Sequence, residues 1–145
     1  MSFATINSRA LLGVEAVEVK VETHLSNGLP SFAIVGLPEK AVKESKERVR
    51  SAIINSGLEF PDRRITVNLA PADMPKHGGR YDFASALSIL SASGQLRSEP
   101  LQNSEILGEL ALDGSVRRVH GAIPALIVAQ AASARSIFPP PMPTT

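Results

Sequence analysis

The chain has 145 residues, of which 43% are hydrophobic and 20% charged, and its formal net charge is +1. This length suits one domain with a sizeable core. The absence of cysteine excludes a disulfide scaffold, a cysteine-ligated metal and a thiol nucleophile from these residues. The near-neutral charge gives no general attraction to nucleic acid or membrane, although local basic patches remain possible. Without an apolar run of roughly 18 residues or a signal-peptide pattern, we expect a soluble, cytoplasmic protein.

The first elements are predicted from alternation and turn residues. Val17, Val19 and Val21 alternate with charged residues, which is typical of a half-buried strand. A turn over residues 26–30 and an apolar run over 32–35 follow. Together these segments predict an antiparallel hairpin.

Apolar residues then recur at helical spacing, which predicts a helix over residues 38–56. Pro38 suits the first turn of this helix and Gly57 its C-terminal stop. The outer face is charged, and Glu44 with Arg48 forms a favourable i,i+4 pair.

The rest of the chain predicts a third strand over 65–69, a small-residue helix over 81–93, a hairpin around Asp113-Gly114, a helix over 121–134 and a strand from Ser136. This order indicates an α+β fold in which helices pack on one face of a sheet. Residues 139–145 are rich in proline, so we expect one domain over 1–138 and a disordered tail over 139–145.

Glycines precede the helix predicted over 81–93. Gly78-Gly79 could present backbone N–H groups to an anion at the helix start. The spacing does not match a P-loop, and Asp82 would repel a phosphate. We therefore interpret the glycines as residues that permit a sharp turn, and we expect a positive φ at Gly78 or Gly79.

Catalytic and metal chemistry are weakly indicated. Ser85 and Ser88 follow Lys76 and His77, but the spacing matches no known nucleophile and base pair. We expect both serines to be small residues where helix meets sheet. The three histidines lie on separate segments, so we expect no metal site.

Several blocks resemble one family: Leu29-Pro30-Ser31-Phe32, Val35-Gly36-Leu37-Pro38, Lys43-Glu44-Ser45-Lys46, Asn68-Leu69-Ala70-Pro71, Gly78-Gly79-Arg80-Tyr81-Asp82 and Gly108-Glu109-Leu110. They are similar to the N-terminal domain of the magnesium-chelatase-like AAA+ proteins of the ComM/YifB type, which are associated with competence and DNA branch migration. The match extends from about Phe3 to about Phe138.

This resemblance implies a mixed sheet similar to domain 2 of ribosomal protein S5 and to the Lon protease domain. Arg80 stands where Lon-like proteases have their serine, and Ile123 lies at or near the position of their lysine. The resemblance therefore implies no catalytic residue in this chain. The family pattern continues beyond Phe138, so we expect a fold that is incomplete at its C-terminus.

In this family ATP and magnesium bind an ATPase module that follows the N-terminal domain. No motif of that module occurs in this sequence, so we expect no cofactor in this chain. The resemblance implies a non-catalytic accessory domain of a hexameric, ATP-driven DNA motor in natural transformation, with the chain's own copies and DNA as partners and no membrane. The candidate DNA or partner contacts are Arg48, Arg50, Arg63, Arg64, Lys76, His77 and Arg80.

Two alternatives remain open. One is a degenerate Lon-like peptidase that uses Ser85 with Lys76. The other is a metal-insertion subunit related to magnesium chelatase.

Overall fold

The computed structural model describes residues 2–12, 15–72, 76, 78–117 and 135–137. The strands are β1 (Phe3–Leu12), β2 (Glu15–Ser26), β3 (Ser31–Val35), β4 (Arg64–Ala70), β5 (Ser104–Ile106), β6 (Glu109–Leu110), β7 (Val116–Arg117) and β8 (Arg135–Ile137). The α-helices are α1 (Glu39–Asn55) and α2 (Asp82–Ala92), and single 3-10 turns span Gly78–Tyr81 and Glu99–Leu101. Six strands form a mixed sheet in the order β3-β4-β2-β1-β5-β8, and β6 pairs with β7 in a separate hairpin.

The mixed α+β class is confirmed, and most predicted elements lie where their patterns placed them. Pro38 precedes α1, and Gly57 and Gly94 follow the two helices with φ values of +78° and +81°. The hairpin around Asp113-Gly114 forms as β6 and β7. The predictions for the helix over 121–134, for Ile123 and for the tail over 139–145 lie outside the described residues.

The predicted antiparallel hairpin of β2 and β3 is wrong. Strand β3 pairs in parallel with β4, with Phe32 opposite Ile65, and β4 in turn pairs antiparallel with β2. A parallel neighbour requires a crossover connection, which α1 supplies between β3 and β4. The turn over 26–30 therefore leads the chain past the position that β4 later fills beside β2.

Strand β1 has no counterpart among the predicted elements. It pairs antiparallel with β2 from Phe3 opposite His24 to Leu12 opposite Glu15, and in parallel with β5. It therefore lies at the centre of the sheet.

The core fills one face of the sheet. That face carries the buried side chains of Val19 and Val21 of β2 and Val67 of β4. Lys20, between the two β2 valines, and Thr66, directly before Val67, are exposed on the other face. Helix α2 packs on β1 and β2, α1 packs on β3 and α2, and both helices share this core. Neither described helix is long and apolar enough to cross a membrane.

The positive φ expected at Gly78 or Gly79 is not found at Gly79. A Cβ at Gly79 would instead lie 3.0 Å from Cδ of Glu109. The position is restricted by the close approach of this side chain and not by its own backbone conformation.

Candidate nucleic-acid interface

A basic surface lies where β3, the second half of α1 and the segment before β4 meet. The rings of Phe32 on β3 and Phe60 before β4 are 5.3 Å apart and tilted by 53°. Lys46 Nζ lies 6.0 Å from the centre of the Phe32 ring, and Arg50 Cζ lies 5.6 Å from that of Phe60. Both cations are within the range of a cation–π interaction, which orients them over the rings.

These rings form part of a cleft of about 400 Å³. The cleft is lined by Pro30, Ser31, Phe32, Arg50, Ile54, Phe60, Pro61, Asp62 and Arg63. We call this set, together with Lys46, the basic–aromatic cleft. It is built because β3 and β4 are parallel neighbours, so the segments preceding both strands lie at one end of the sheet.

Two of the predicted contact residues, Arg50 and Arg63, line this cleft. Arg50 is exposed on α1, and Arg63 is half-buried, where its Nη2 donates to the Leu25 carbonyl at 3.4 Å. Arg64 is exposed at the start of β4 and extends beside Gly28, so it does not line the cleft. Arg50 of α1 and Arg63 before β4 therefore line one opening, and Asp62 offsets part of their charge.

Arg48 lies elsewhere, in a buried ion pair. Its Nε donates to Oδ2 of Asp82 at 2.6 Å, and the Asp82 side chain is 0% exposed. Asp82 also accepts hydrogen bonds from Ser45 Oγ at 2.7 Å and from the Leu110 N–H at 3.2 Å. Burial raises the pKa of Asp82, and the hydrogen bonds from Arg48 and Ser45 oppose this shift. This cluster joins α1, α2 and β6, so Arg48 stabilises the fold, and its guanidinium is held by Asp82.

The loop residues also lie away from the cleft. Lys76 is buried, and its Nζ donates to the Gly36 carbonyl at 3.3 Å. Arg80 is buried in the turn before α2. His77 lies outside the described residues. Burial excludes Lys76 and Arg80 from a surface contact with DNA.

The family model described as subunit ChlI of Mg-chelatase matches residues 21–142, which is most of the chain. The chain belongs to this family. Competence protein ComM of Haemophilus influenzae is 56% identical over 130 residues, which cover 90% of this chain and 26% of that protein. Uncharacterized protein YifB of Salmonella typhimurium is 58% identical over 123 residues, which cover 85% of this chain and 24% of that protein. The chain thus spans about a quarter of the length of these curated relatives, and its resemblance to ComM and YifB is confirmed.

The serines considered for catalysis are buried in this ChlI-family domain. Ser88 Oγ lies 2.5 Å from Thr23 Oγ1 on β2 and donates to the Ser85 carbonyl at 2.9 Å. Ser85 is buried on the same helix. Within the described part of the chain, no group of three histidine, aspartate or glutamate residues is placed to hold a metal ion.

Sequence reasoning missed the aromatic part of the cleft. Phe32 and Phe60 are 28 positions apart in the sequence. The signal that joins them is the parallel pairing of β3 with β4. The sequence patterns instead predict a hairpin of β2 and β3.

Proposed function

We propose that this ChlI-family chain is a non-catalytic accessory domain of a hexameric, ATP-driven DNA motor that acts in the cytoplasm during natural transformation. In this proposal the domain contacts DNA through the basic–aromatic cleft. The observation that carries it is that Arg50 and Arg63 line one opening and that Lys46 lies over a phenylalanine ring of the same opening. The 56% identity to a protein named Competence protein ComM supports the proposed role in natural transformation.

The chemistry of the cleft suits a phosphodiester backbone. Arginine guanidinium groups bind phosphate oxygens through paired N–H donors, and they stay charged at any physiological pH. The cleft also contains two phenylalanine rings, which give exposed bases an apolar surface to stack on. The interface is electrostatic in character, so its affinity should fall steeply with salt.

The non-catalytic part of the proposal is supported by the positions of the candidate nucleophiles. Ser85 and Ser88 are packed between α2 and the sheet. Arg80 stands where the Lon-like pattern has its serine. In this proposal ATP and magnesium bind the ATPase module of the longer relatives. The contacts that form the hexameric ring belong to the full-length protein.

The test is fluorescence anisotropy of labelled forked DNA with the purified chain at several salt concentrations. Three phosphate contacts predict that the affinity falls roughly 40-fold between 50 and 200 mM salt. The double variant Arg50→Gln/Arg63→Gln should bind more weakly at low salt and lose only about 3- to 4-fold over the same range. The matched control is Arg97→Gln, because Arg97 is an exposed arginine outside the cleft.

Two results would contradict the proposal. One is the absence of binding at low salt. The other is an equal loss for Arg97→Gln and for the double variant, which would indicate a diffuse charge effect and no defined interface.

A further inference from the structure

The turn between β2 and β3 contains an asparagine that is followed by a glycine. Asn27 and Gly28 are both exposed, and neither belongs to the sheet, because β2 ends at Ser26 and β3 begins at Ser31. Gly28 has a φ of +135°, a conformation that residues with a side chain rarely adopt. The Gly28 nitrogen therefore follows the asparagine directly and has no Cβ atom beside it to shield it.

The backbone N–H of Gly28 has no acceptor within the described part of the chain. The neighbouring backbone hydrogen bonds are those donated by the N–H groups of Leu25 and Ser31, on either side of the turn. The side-chain amide of Asn27 likewise has no hydrogen-bond partner among the described residues. Neither the amide nor the following nitrogen is therefore held away from the other.

Another exposed asparagine shows the opposite arrangement. Asn55 ends α1 and is followed by Ser56, whose N–H donates to the Ala52 carbonyl at 3.0 Å. The three remaining asparagines lie in a sheet strand or directly before one. Asn27 is thus the asparagine at which an exposed amide precedes an exposed glycine nitrogen in a turn.

We propose that Asn27 is a site of spontaneous deamidation. The Gly28 nitrogen loses its proton and attacks Cγ of Asn27, so that a new N–C bond closes a succinimide ring. The C–N bond of the side-chain amide breaks, and its NH2 group leaves as ammonia with a proton from water. Water then opens the ring at either carbonyl and leaves aspartate or isoaspartate at position 27. Water is the only co-reactant, and nothing is oxidised or reduced.

The modification changes both charge and backbone beside the start of β4. A Cβ at Gly28 would lie 2.9 Å from Cδ of Arg64, so the new carboxylate forms close to this arginine side chain. It removes one unit from the formal net charge of +1. Isoaspartate also adds one carbon to the main chain between β2 and β3. The reaction needs neither DNA nor the basic–aromatic cleft, so this proposal is independent of the proposed function.

The test is incubation of the folded chain at two pH values above neutrality, followed by tryptic digestion and mass spectrometry. The peptide over residues 21–40 has Asn27 as its only asparagine, and the peptide over 51–63 has only Asn55. Exchange of NH2 for OH should be at least roughly fivefold faster at Asn27, because attack at Asn55 first requires the loss of one hydrogen bond. The rate should rise with pH, since the attacking nitrogen must lose a proton. Isoaspartate should form together with aspartate.

Two variants and one solvent change complete the test. Asn27→Gln should abolish the conversion, because glutamine must close a larger ring, whereas the matched control Asn55→Gln should leave the conversion at Asn27 unchanged. In urea the hydrogen bond at Ser56 is lost, so the two rates should approach each other while the rate at Asn27 stays close to its folded value. The proposal is overturned if the 21–40 peptide gains no mass, if aspartate forms without isoaspartate, or if folding strongly slows the conversion at Asn27.

Discussion

Removal of Arg48 should strongly destabilise the fold, because it leaves Asp82 as a buried charge without its counterion. The Asp82 side chain is 0% exposed and that of Arg48 is 20% exposed. Breaking a buried ion pair by deleting one partner costs about 3–5 kcal/mol. Ser45 and the Leu110 N–H still donate to Asp82, so we expect the lower end of this range, about 3 kcal/mol for Arg48→Met.

The measurement is urea unfolding followed by circular dichroism. With an m-value of about 1–3 kcal/mol/M, the midpoint of Arg48→Met should fall by roughly 1–3 M. The control is Glu44→Gln, because Glu44 contacts Arg48 at 3.8 Å but its side chain is 54% exposed. A surface pair of this kind contributes less than about 1 kcal/mol.

A second substitution separates the charge effect from lost packing. In Arg48→Met/Asp82→Asn the buried charge is gone, while the amide oxygen can still accept from Ser45 or Leu110. This double variant should recover about 1 kcal/mol or more relative to Arg48→Met. The reasoning is refuted if Arg48→Met costs no more than Glu44→Gln, or if Asp82→Asn adds a further loss in the Arg48→Met background.

Three further predictions concern the turn before α2 and one helix end. Burial raises the pKa of Tyr81 to about 12 from 10.0, so its absorbance titration should have its midpoint near the higher value. Because the pKa of Tyr81 is higher in the folded chain than in the unfolded chain, the free energy of unfolding is unaffected below pH 10 and falls by about 2–3 kcal/mol as the pH rises towards 12. Tyr81→Phe should lack this loss of stability. A titration midpoint near 10 in the folded chain would contradict the prediction. Gly79→Ala should destabilise the chain through contact with Glu109, and much less so in a Glu109→Ala background; equal costs in thermal unfolding would exclude this contact as the cause. A Cβ at Gly57 would meet open space, but the φ of +78° is unfavourable for alanine. Gly57→Ala should therefore lower the free energy of unfolding by about 1 kcal/mol through backbone conformation alone, and a change near zero would contradict this.

Local patterns predicted the elements whose burial is regular. Helix α1 and strand β4 were predicted because their apolar residues repeat at the helical and strand periods. The pattern of strand β1 is irregular, because Arg9 is buried among its small residues and pairs with Glu105 in β5. The pairing of β3 was mispredicted because a turn signal reports a change of direction and not the identity of the neighbouring strand.

The candidate site was predictable in composition and not in arrangement. Arg50 and Arg63 are among the contacts predicted from sequence, and the structure places both on the cleft. Arg48 and Arg50 both belong to the charged part of the same predicted helix, but Arg48 pairs with Asp82, which lies 34 positions later. The burial of Arg80 is equally invisible from sequence, because it depends on how the turn before α2 packs. Charge can be counted in a sequence, but its exposure depends on tertiary contacts.

The two buried arginine–carboxylate pairs differ in when both partners become available during synthesis. The partner of Arg48, Asp82, is synthesised 34 positions after it, whereas the partner of Arg9, Glu105, is synthesised 96 positions after it. The β1–β2 hairpin therefore emerges from the ribosome with a cation at the future sheet centre and no counterion for it. Until β5 is synthesised, that hairpin cannot be buried on both sides without a penalty. We therefore expect that the α1–α2 contact can form before the sheet closes at β1.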